Sequence, residues 1–298
     1  MGTLRTFAVV AILGLGTLIL MPLQVVATRY DWPLARSLPY WWQRVARRLI
    51  RLRVRVEGKP AAPPLLIAAN HISWLDITVL GSVLPLSFIA KAEVATWPVL
   101  GTLARLQRTV FIDRTRRSQT GSATKAIAQR VGGGDVMVLF AEGTTGDGCR
   151  VLPFRSALIG AASAATGVDG ITVQPVAVTY TQIQGIPVGC ADRPEIAWYG
   201  DMGFIAHFRR LIGRGAIDAV VSFGEPIPCG PGVDRKLVAD ECYNSVRRMV
   251  EAARRSASLD GNRGSVFSGG QKGAKQTAKA PPDSYSAGGR ERIANRAS

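Results

Sequence analysis

Hydrophobic and polar positions divide the chain into four stretches. Residues Thr6 to Ala27 form an apolar run broken only by Gln24. A helix that crosses a bilayer needs about 20 such residues, whereas the apolar core of a signal peptide is usually about 7–15 long. Bulky and charged residues follow (Arg29, Tyr30, Asp31, Trp32), so residues 1–28 are predicted to be an uncleaved transmembrane anchor. From 29 to 53, Tyr40, Trp41, Trp42, Val45, Leu49 and Ile50 form an apolar stripe at helical spacing among arginines, the pattern of an interfacial helix. From 54 to 255, apolar runs of strand length alternate with helical patterns. The strand candidates are Leu65–Ala69, Ser87–Ala90, Thr109–Ile112, Val136–Phe140, Ile171–Thr179, Ile196–Tyr199 and Ile217–Phe223. Helical patterns lie near Leu75–Val83, Pro98–Leu106, Gly121–Val131, Ser156–Ala165, Phe204–Ile212 and Asp234–Arg254. This alternation predicts an α/β catalytic domain: a mixed sheet with helices on both faces. Residues 256–298 are rich in Gly, Ser, Ala, Lys and Arg with isolated bulky positions, and are expected to form a disordered basic tail.

Charge sharpens this division. The 298 residues carry 37 Lys and Arg against 21 Asp and Glu, a formal net charge of +16. Eight arginines (Arg29, Arg36, Arg44, Arg47, Arg48, Arg51, Arg53, Arg55) follow the anchor and only Arg5 precedes it, which by the positive-inside rule places the catalytic domain in the cytoplasm, on the inner membrane. Anionic membrane lipid accounts for basic residues concentrated there. No helix-turn-helix or aromatic RNA-binding motif accompanies the charge, so nucleic acid is not an expected partner. The four cysteines (Cys149, Cys190, Cys229, Cys242) have no C-x-x-C spacing and read as reduced thiols. Only His71 and His207 are histidines, too few for the usual zinc ligand sets, and no metal is expected. His207, between Ala206 and Phe208 on a helical pattern, reads as structural.

Candidate chemistry begins at Ala68-Ala-Asn-His71-Ile-Ser-Trp-Leu-Asp76, where a polar pair sits at the end of an apolar strand. Loops beyond the carboxyl ends of strands hold the active sites of open α/β sheets. With Ser73 as N-cap of a helix, the Asp76 carboxylate folds back to the His71 imidazole, fixing its tautomer and leaving the second nitrogen to take a proton from a hydroxyl. A loop histidine beside an aspartate in a first helical turn is the blander alternative. Three further segments bear on the choice: Arg108-Thr-Val-Phe-Ile-Asp-Arg114, Val138-Leu-Phe-Ala-Glu142-Gly-Thr-Thr145 and Val173-Gln-Pro175-Val-Ala-Val-Thr179. A proline inside such a strand belongs at a bulge, a start or an edge.

In order and approximate spacing these segments, from about Leu65 to Pro187, resemble the glycerolipid acyltransferase family, which includes the bacterial 1-acylglycerol-3-phosphate acyltransferases. The resemblance implies His71 as general base and Asp76 as its orienting partner. It further implies Arg114 as an acceptor-binding arginine, Glu142, Gly143 and Thr144 as the turn that positions the acceptor headgroup, and Pro175 near the acyl donor. The donor would be acyl-CoA or acyl-carrier protein, the acceptor a lysolipid, and no cofactor would be required. One position departs from the family. Its motif is Glu-Gly-Thr-Arg, and here the fourth residue is Thr145, with Arg150 and Arg155 close downstream. Ala197-Trp-Tyr-Gly-Asp-Met202 resembles a branch containing lyso-ornithine lipid acyltransferases. The expected activity is therefore O-acylation of a lysolipid, with lyso-ornithine lipid ahead of lysophosphatidate. A membrane-tethered basic binding protein and a thioesterase-like hydrolase using the same His71 and Asp76 remain as alternatives.

Overall fold

The strand Leu65–Ala69 is buried along its whole length, which places it in the middle of a sheet covered on both faces. The computed structural model describes residues 2–112, 125–127, 129–163, 171–230 and 232–268. Its strands are β1 (Leu52–Glu57), β2 (Leu65–Ala69), β3 (Ser87–Lys91), β4 (Val110–Ile112), β5 (Val136–Phe140), β6 (Ile171–Ile183), β7 (Ile186–Pro187), β8 (Ile217–Phe223) and β9 (Ile227–Cys229). They form one sheet in the order β1-β8-β6-β2-β5-β3-β4, with β7 and β9 added to β6. β6, β2, β5, β3 and β4 are parallel, whereas β8 runs antiparallel to β6 and parallel to β1. The sheet is mixed, as its pattern predicts.

The helices among the described residues include α1 (Gly2–Arg29), α2 (Leu34–Leu49), α3 (Leu75–Gly81), α4 (Leu100–Leu106), α5 (Ser156–Ser163), α6 (Arg193–Ile196), α7 (Phe204–Arg214) and α8 (Arg235–Ser268). Side-chain alternation along the central strands makes two cores. Leu65, Ile67 and Ala69 of β2 join Leu75 and Leu80 of α3 and Leu211 of α7 on one face. Leu66 and Ala68 join Ile127, Ile159 of α5 and Val238 and Val246 of α8 on the other. Burying a Leu or Ile side chain contributes about 1.5–3 kcal/mol, so both faces hold β2 in register.

Four expectations are corrected. Ile196–Tyr199 is not a strand: Ile196 closes the short α6, whose Pro194 suits a first turn, and the Trp198 N–H bonds the Ile72 carbonyl instead of a sheet neighbour. Leu52–Glu57, divided above between an interfacial segment and the catalytic domain, is the edge strand β1. Arg53 and Arg55 lie on its exposed positions, as charged residues do on edge strands. α8 continues through 256–268, past the expected start of the tail, because Ala253 and Ala257 are buried on its inner side. Pro175 lies inside β6 rather than at its end or edge, at a change of partner: β9 pairs as far as Val173 and β8 begins at Val176.

α1 is long and apolar enough to cross a membrane, and most of its large apolar side chains, from Leu4 and Phe7 to Val25 and Val26, are exposed. Near one end, Arg5 Nη1 donates to the Ile212 carbonyl of α7 at 3.0 Å. Near the other, Gln24 Nε2 donates to the carbonyls of Ala35 at 3.1 Å and Leu106 at 2.8 Å. Trp42 of α2 packs where a Cβ on Gly16 would meet its ring at 2.5 Å, so the glycine admits the indole. Trp41 is exposed on the other side of α2.

Candidate active site

β2 and β5 are parallel neighbours, with Ala69 level with Phe140, and both end on the same edge of the sheet. The chain leaves β2 through Asn70, whose side chain imitates one more rung of sheet: Nδ2 donates to the Val178 carbonyl at 3.0 Å and Oδ1 accepts the Val178 N–H at 2.8 Å. That bracket to β6 fixes the direction of the next residue, His71. Its ring stacks on Phe140, with centroids 3.8 Å apart and planes 11° from parallel. His71 Nδ1 lies 2.8 Å from Asp76 Oδ2, and the histidine side chain keeps 19% of its surface exposed. A carboxylate only accepts, so Nδ1 carries the proton and Nε2 presents a lone pair.

Asp76 is fully buried in the first turn of α3. Besides His71, its Oδ2 accepts the backbone N–H of Ile72 at 2.7 Å and of Ser73 at 3.0 Å. Its Oδ1 accepts the Tyr180 hydroxyl at 2.6 Å. Four donors thus converge on one carboxylate, which supplies what burial of its charge requires. The expected side-chain cap by Ser73 is not made. The Asp76 carboxylate takes the free N–H groups ahead of the helix, and Ser73 contributes its carbonyl, to the Asp76 N–H at 3.0 Å.

Glu142 follows β5 and is buried, and its Oε1 accepts the His71 N–H at 3.3 Å. Its Oε2 is shielded from solvent without a hydrogen-bond partner. Burial pushes the carboxyl up to about 8, with the Asp76 charge adding to it and the N–H groups of His71 and Leu152 opposing it. The turn is fixed by Gly143, at φ +72°, whose N–H returns to the Phe140 carbonyl at 3.0 Å. Gly146 then donates to the His71 carbonyl at 2.9 Å, so the two loops clasp each other.

The other expected residues are distributed unevenly. Thr144 is exposed and Thr145 half-buried in the same turn. Arg155 is drawn to it, its backbone N–H on Ala141 and its Nε on the Glu142 carbonyl at 3.2 Å, whereas Arg150 is simply exposed. Pro175 is level with Ala68 on β6, on the face opposite His71. Arg114 lies outside the described residues. Trp198 holds the His71 loop through Ile72, so the Ala197–Met202 segment belongs to the site's wall. His207 accepts the Trp74 indole N–H at 3.0 Å and is buried, in keeping with a structural histidine. Tyr180 and the bracketing role of Asn70 were not read from the sequence; one even-numbered Tyr in an apolar strand carries no local signal.

The acyltransferase family, by its sequence pattern, matches residues 51–179. A protein named lyso-ornithine lipid O-acyltransferase from Brucella abortus is 46% identical over 256 residues, covering 85% of this chain and 96% of that one. The chain belongs to the acyltransferase family. A second acyltransferase of the same name, from Rhizobium meliloti, is 41% identical over 254 residues, 83% of this chain and 86% of the other. The crystal structure of the 1-acyl-sn-glycerophosphate acyltransferase from Thermotoga maritima matches with a TM-score of 0.55 and 20% identity, over 85% of this chain and 97% of that one, and shares the fold. This acyltransferase acts on a lysolipid, in lipid biosynthesis. Its His71 loop offers a lone-pair nitrogen at the carboxyl ends of two parallel strands, geometry that suits proton removal from an acceptor hydroxyl.

Proposed function

We propose that this acyltransferase moves a fatty acyl group from the thioester of acyl-carrier protein or CoA to the free hydroxyl of a lyso-ornithine lipid. The observation that carries the chemistry is the His71–Asp76 pair, 2.8 Å apart with the imidazole partly open. His71 Nε2 takes the hydroxyl proton as the oxygen attacks the thioester carbonyl. Asp76 stabilises the imidazolium so formed. The tetrahedral oxyanion then collapses, the C–S bond breaks, and the departing thiolate recovers the proton from His71. A thioester is already activated, so no acyl-enzyme and no cofactor enter the scheme; catalysis consists of deprotonation and of holding two lipids in attack geometry.

The choice of acceptor rests on the turn after β5. A phosphate monoester is best held by a fork of arginine donors, and this turn carries Thr145 where phosphate-binding members have arginine. Glu142 presents a buried oxygen without a donor. An ornithine headgroup brings an amide N–H and one ammonium beside its carboxylate, and the ammonium would draw Glu142 to its ionised, accepting form; a phosphate monoester brings acceptors and repels that form. The names of the two relatives point the same way. Comparing kcat/KM for lyso-ornithine lipid and lysophosphatidate with one donor tests the choice. A clear preference for lysophosphatidate overturns it and returns the activity to phosphatidate synthesis, with Arg155 at the Glu142 turn as the phosphate ligand.

We place the enzyme on the cytoplasmic side of the inner membrane, with anionic lipid at the arginines after α1. Arg5 and Gln24 are about 28 Å apart along α1, yet both touch the catalytic domain. A helix crossing the bilayer would carry one of those ends away from it. α1 therefore lies along the domain with its apolar outer surface in lipid, in place of the single crossing its length suggests. Cysteines placed at both ends should react with a membrane-impermeant reagent from the same side; labelling from opposite sides restores the crossing.

A further inference from the structure

His71 and Asp76 are both referred to one strand. Asn70, directly before His71, is bracketed to the backbone of Val178. Two residues further along β6, Tyr180 points its hydroxyl at Asp76 Oδ1, 2.6 Å away. The other three donors to Asp76 (His71 Nδ1 and the N–H groups of Ile72 and Ser73) all meet Oδ2. Tyr180 is thus the partner of the second oxygen, which is sealed in the core with it.

We infer that Tyr180 is a positioning residue for acyl transfer: its hydroxyl holds the Asp76 carboxylate in the rotamer that meets His71 and sets how much negative charge Asp76 turns toward the imidazole. Asp76 has three bonds on Oδ2, but those donors all come from its own loop and move with it. The Tyr180 bond is the one that ties the carboxylate to the middle of the sheet, across 104 residues of chain. Burial, together with the Asp76 charge, pushes the phenol well above its ordinary range, so it remains a donor across the working pH. Removing the hydroxyl leaves Oδ1 as a buried acceptor without a donor. More of the carboxylate charge is then directed through Oδ2, which favours the imidazolium and withdraws the neutral base at a higher pH. Glu142, from the turn after β5, and Tyr180 itself are ionisable groups in contact with the pair. His207 of α7 is engaged by Trp74.

The inference rests on His71 being the base, and the test separates the two. The full-length protein in detergent is assayed across pH as wild type, as Tyr180→Phe and with 3-fluorotyrosine at position 180, a stronger donor of nearly the same size. Tyr180→Phe should lower kcat about tenfold, the scale of one hydrogen bond to a charged group, with the lysolipid KM little changed. Its acidic limb should move to higher pH; that of the fluorotyrosine enzyme should move to lower pH with kcat largely kept. The limb is read below the titration of Glu142 near 8. A phenylalanine enzyme with a wild-type limb overturns the inference, whether its kcat is kept or lost, since a structural role alone would not move the profile. Should that variant fail to fold, an unmoved limb in the fluorotyrosine enzyme overturns it equally. Activity surviving in His71→Ala would sink the base assignment; an inactive His71→Ala beside an unshifted Tyr180→Phe sinks only the role of Tyr180.

Discussion

Two buried carboxyl groups meet the loop at His71, one from each of two neighbouring parallel strands, and they are surrounded in opposite ways. Asp76, after β2, receives four donors on two oxygens and is sealed from solvent. Glu142, after β5, accepts backbone N–H groups of His71 and Leu152, keeps Oε2 without a close donor among the described residues, and holds its proton up to about 8. A group satisfied before any ligand arrives is machinery held ready, since nothing must reorganise at the moment of reaction. A buried group left unsatisfied is costly unless something later supplies its partner. The contrast supports the proposed division of labour, with Asp76 serving the base and Glu142 the incoming acceptor.

The sharpest way to break the contrast is Asp76→Asn. The amide retains the shape but cannot accept from all four donors, and it favours the wrong imidazole tautomer. We expect kcat to fall about 10²–10⁴-fold, the range of general-base catalysis, with membrane binding intact; a loss below tenfold would remove Asp76 from the machinery. Glu142→Gln should act differently, through acceptor KM and through stability. In the unfolded chain the glutamate titrates near 4.5, in the native protein near 8. Below 4.5 both states hold the proton. Between the two values only the unfolded chain has lost it, so wild-type stability falls as pH rises and levels off above 8. The Gln variant lacks this loss, so its Tm should gain on the wild type from pH 4.5 to 8 and then stay level. A difference independent of pH would mean that Glu142 is not held protonated. The smallest effect is expected from Thr145→Arg: a guanidinium in this turn should favour lysophosphatidate over lyso-ornithine lipid by about tenfold, one charge-assisted hydrogen bond. An unchanged acceptor ratio would detach Thr145 from headgroup choice.

What the sequence exposes in this molecule is what is local. β2 and β5 are legible because both are apolar end to end, and the His71–Asp76 pair because five residues across a strand end and a helix start bring the side chains together. Tyr180 is illegible because its partner lies 104 residues away, joined only by the pairing of β6 with β2. β1 was hidden by its own arginines. Leu52, Val54 and Val56 alternate with Arg53 and Arg55, a strand period that basic residues next to a membrane helix also satisfy. The end of α8 was misplaced because Arg254 lies where composition turns polar, yet its guanidinium is turned inward. It donates to the Gly148 carbonyl at 2.6 Å and the Cys149 carbonyl at 3.0 Å, which ties the last helix to the Glu142 loop.

On the proposed reading, His71 deprotonates the hydroxyl of a lyso-ornithine lipid. That reading is tested most directly by transfer of a labelled acyl group from acyl-carrier protein or CoA to lyso-ornithine lipid, with purified wild-type and His71→Ala proteins side by side. Labelled ornithine lipid is expected from the wild type, and a rate about 10²–10⁴-fold lower from a folded, membrane-bound His71→Ala. Free fatty acid in place of labelled lipid, or a variant that keeps more than about a tenth of the wild-type rate, would contradict it.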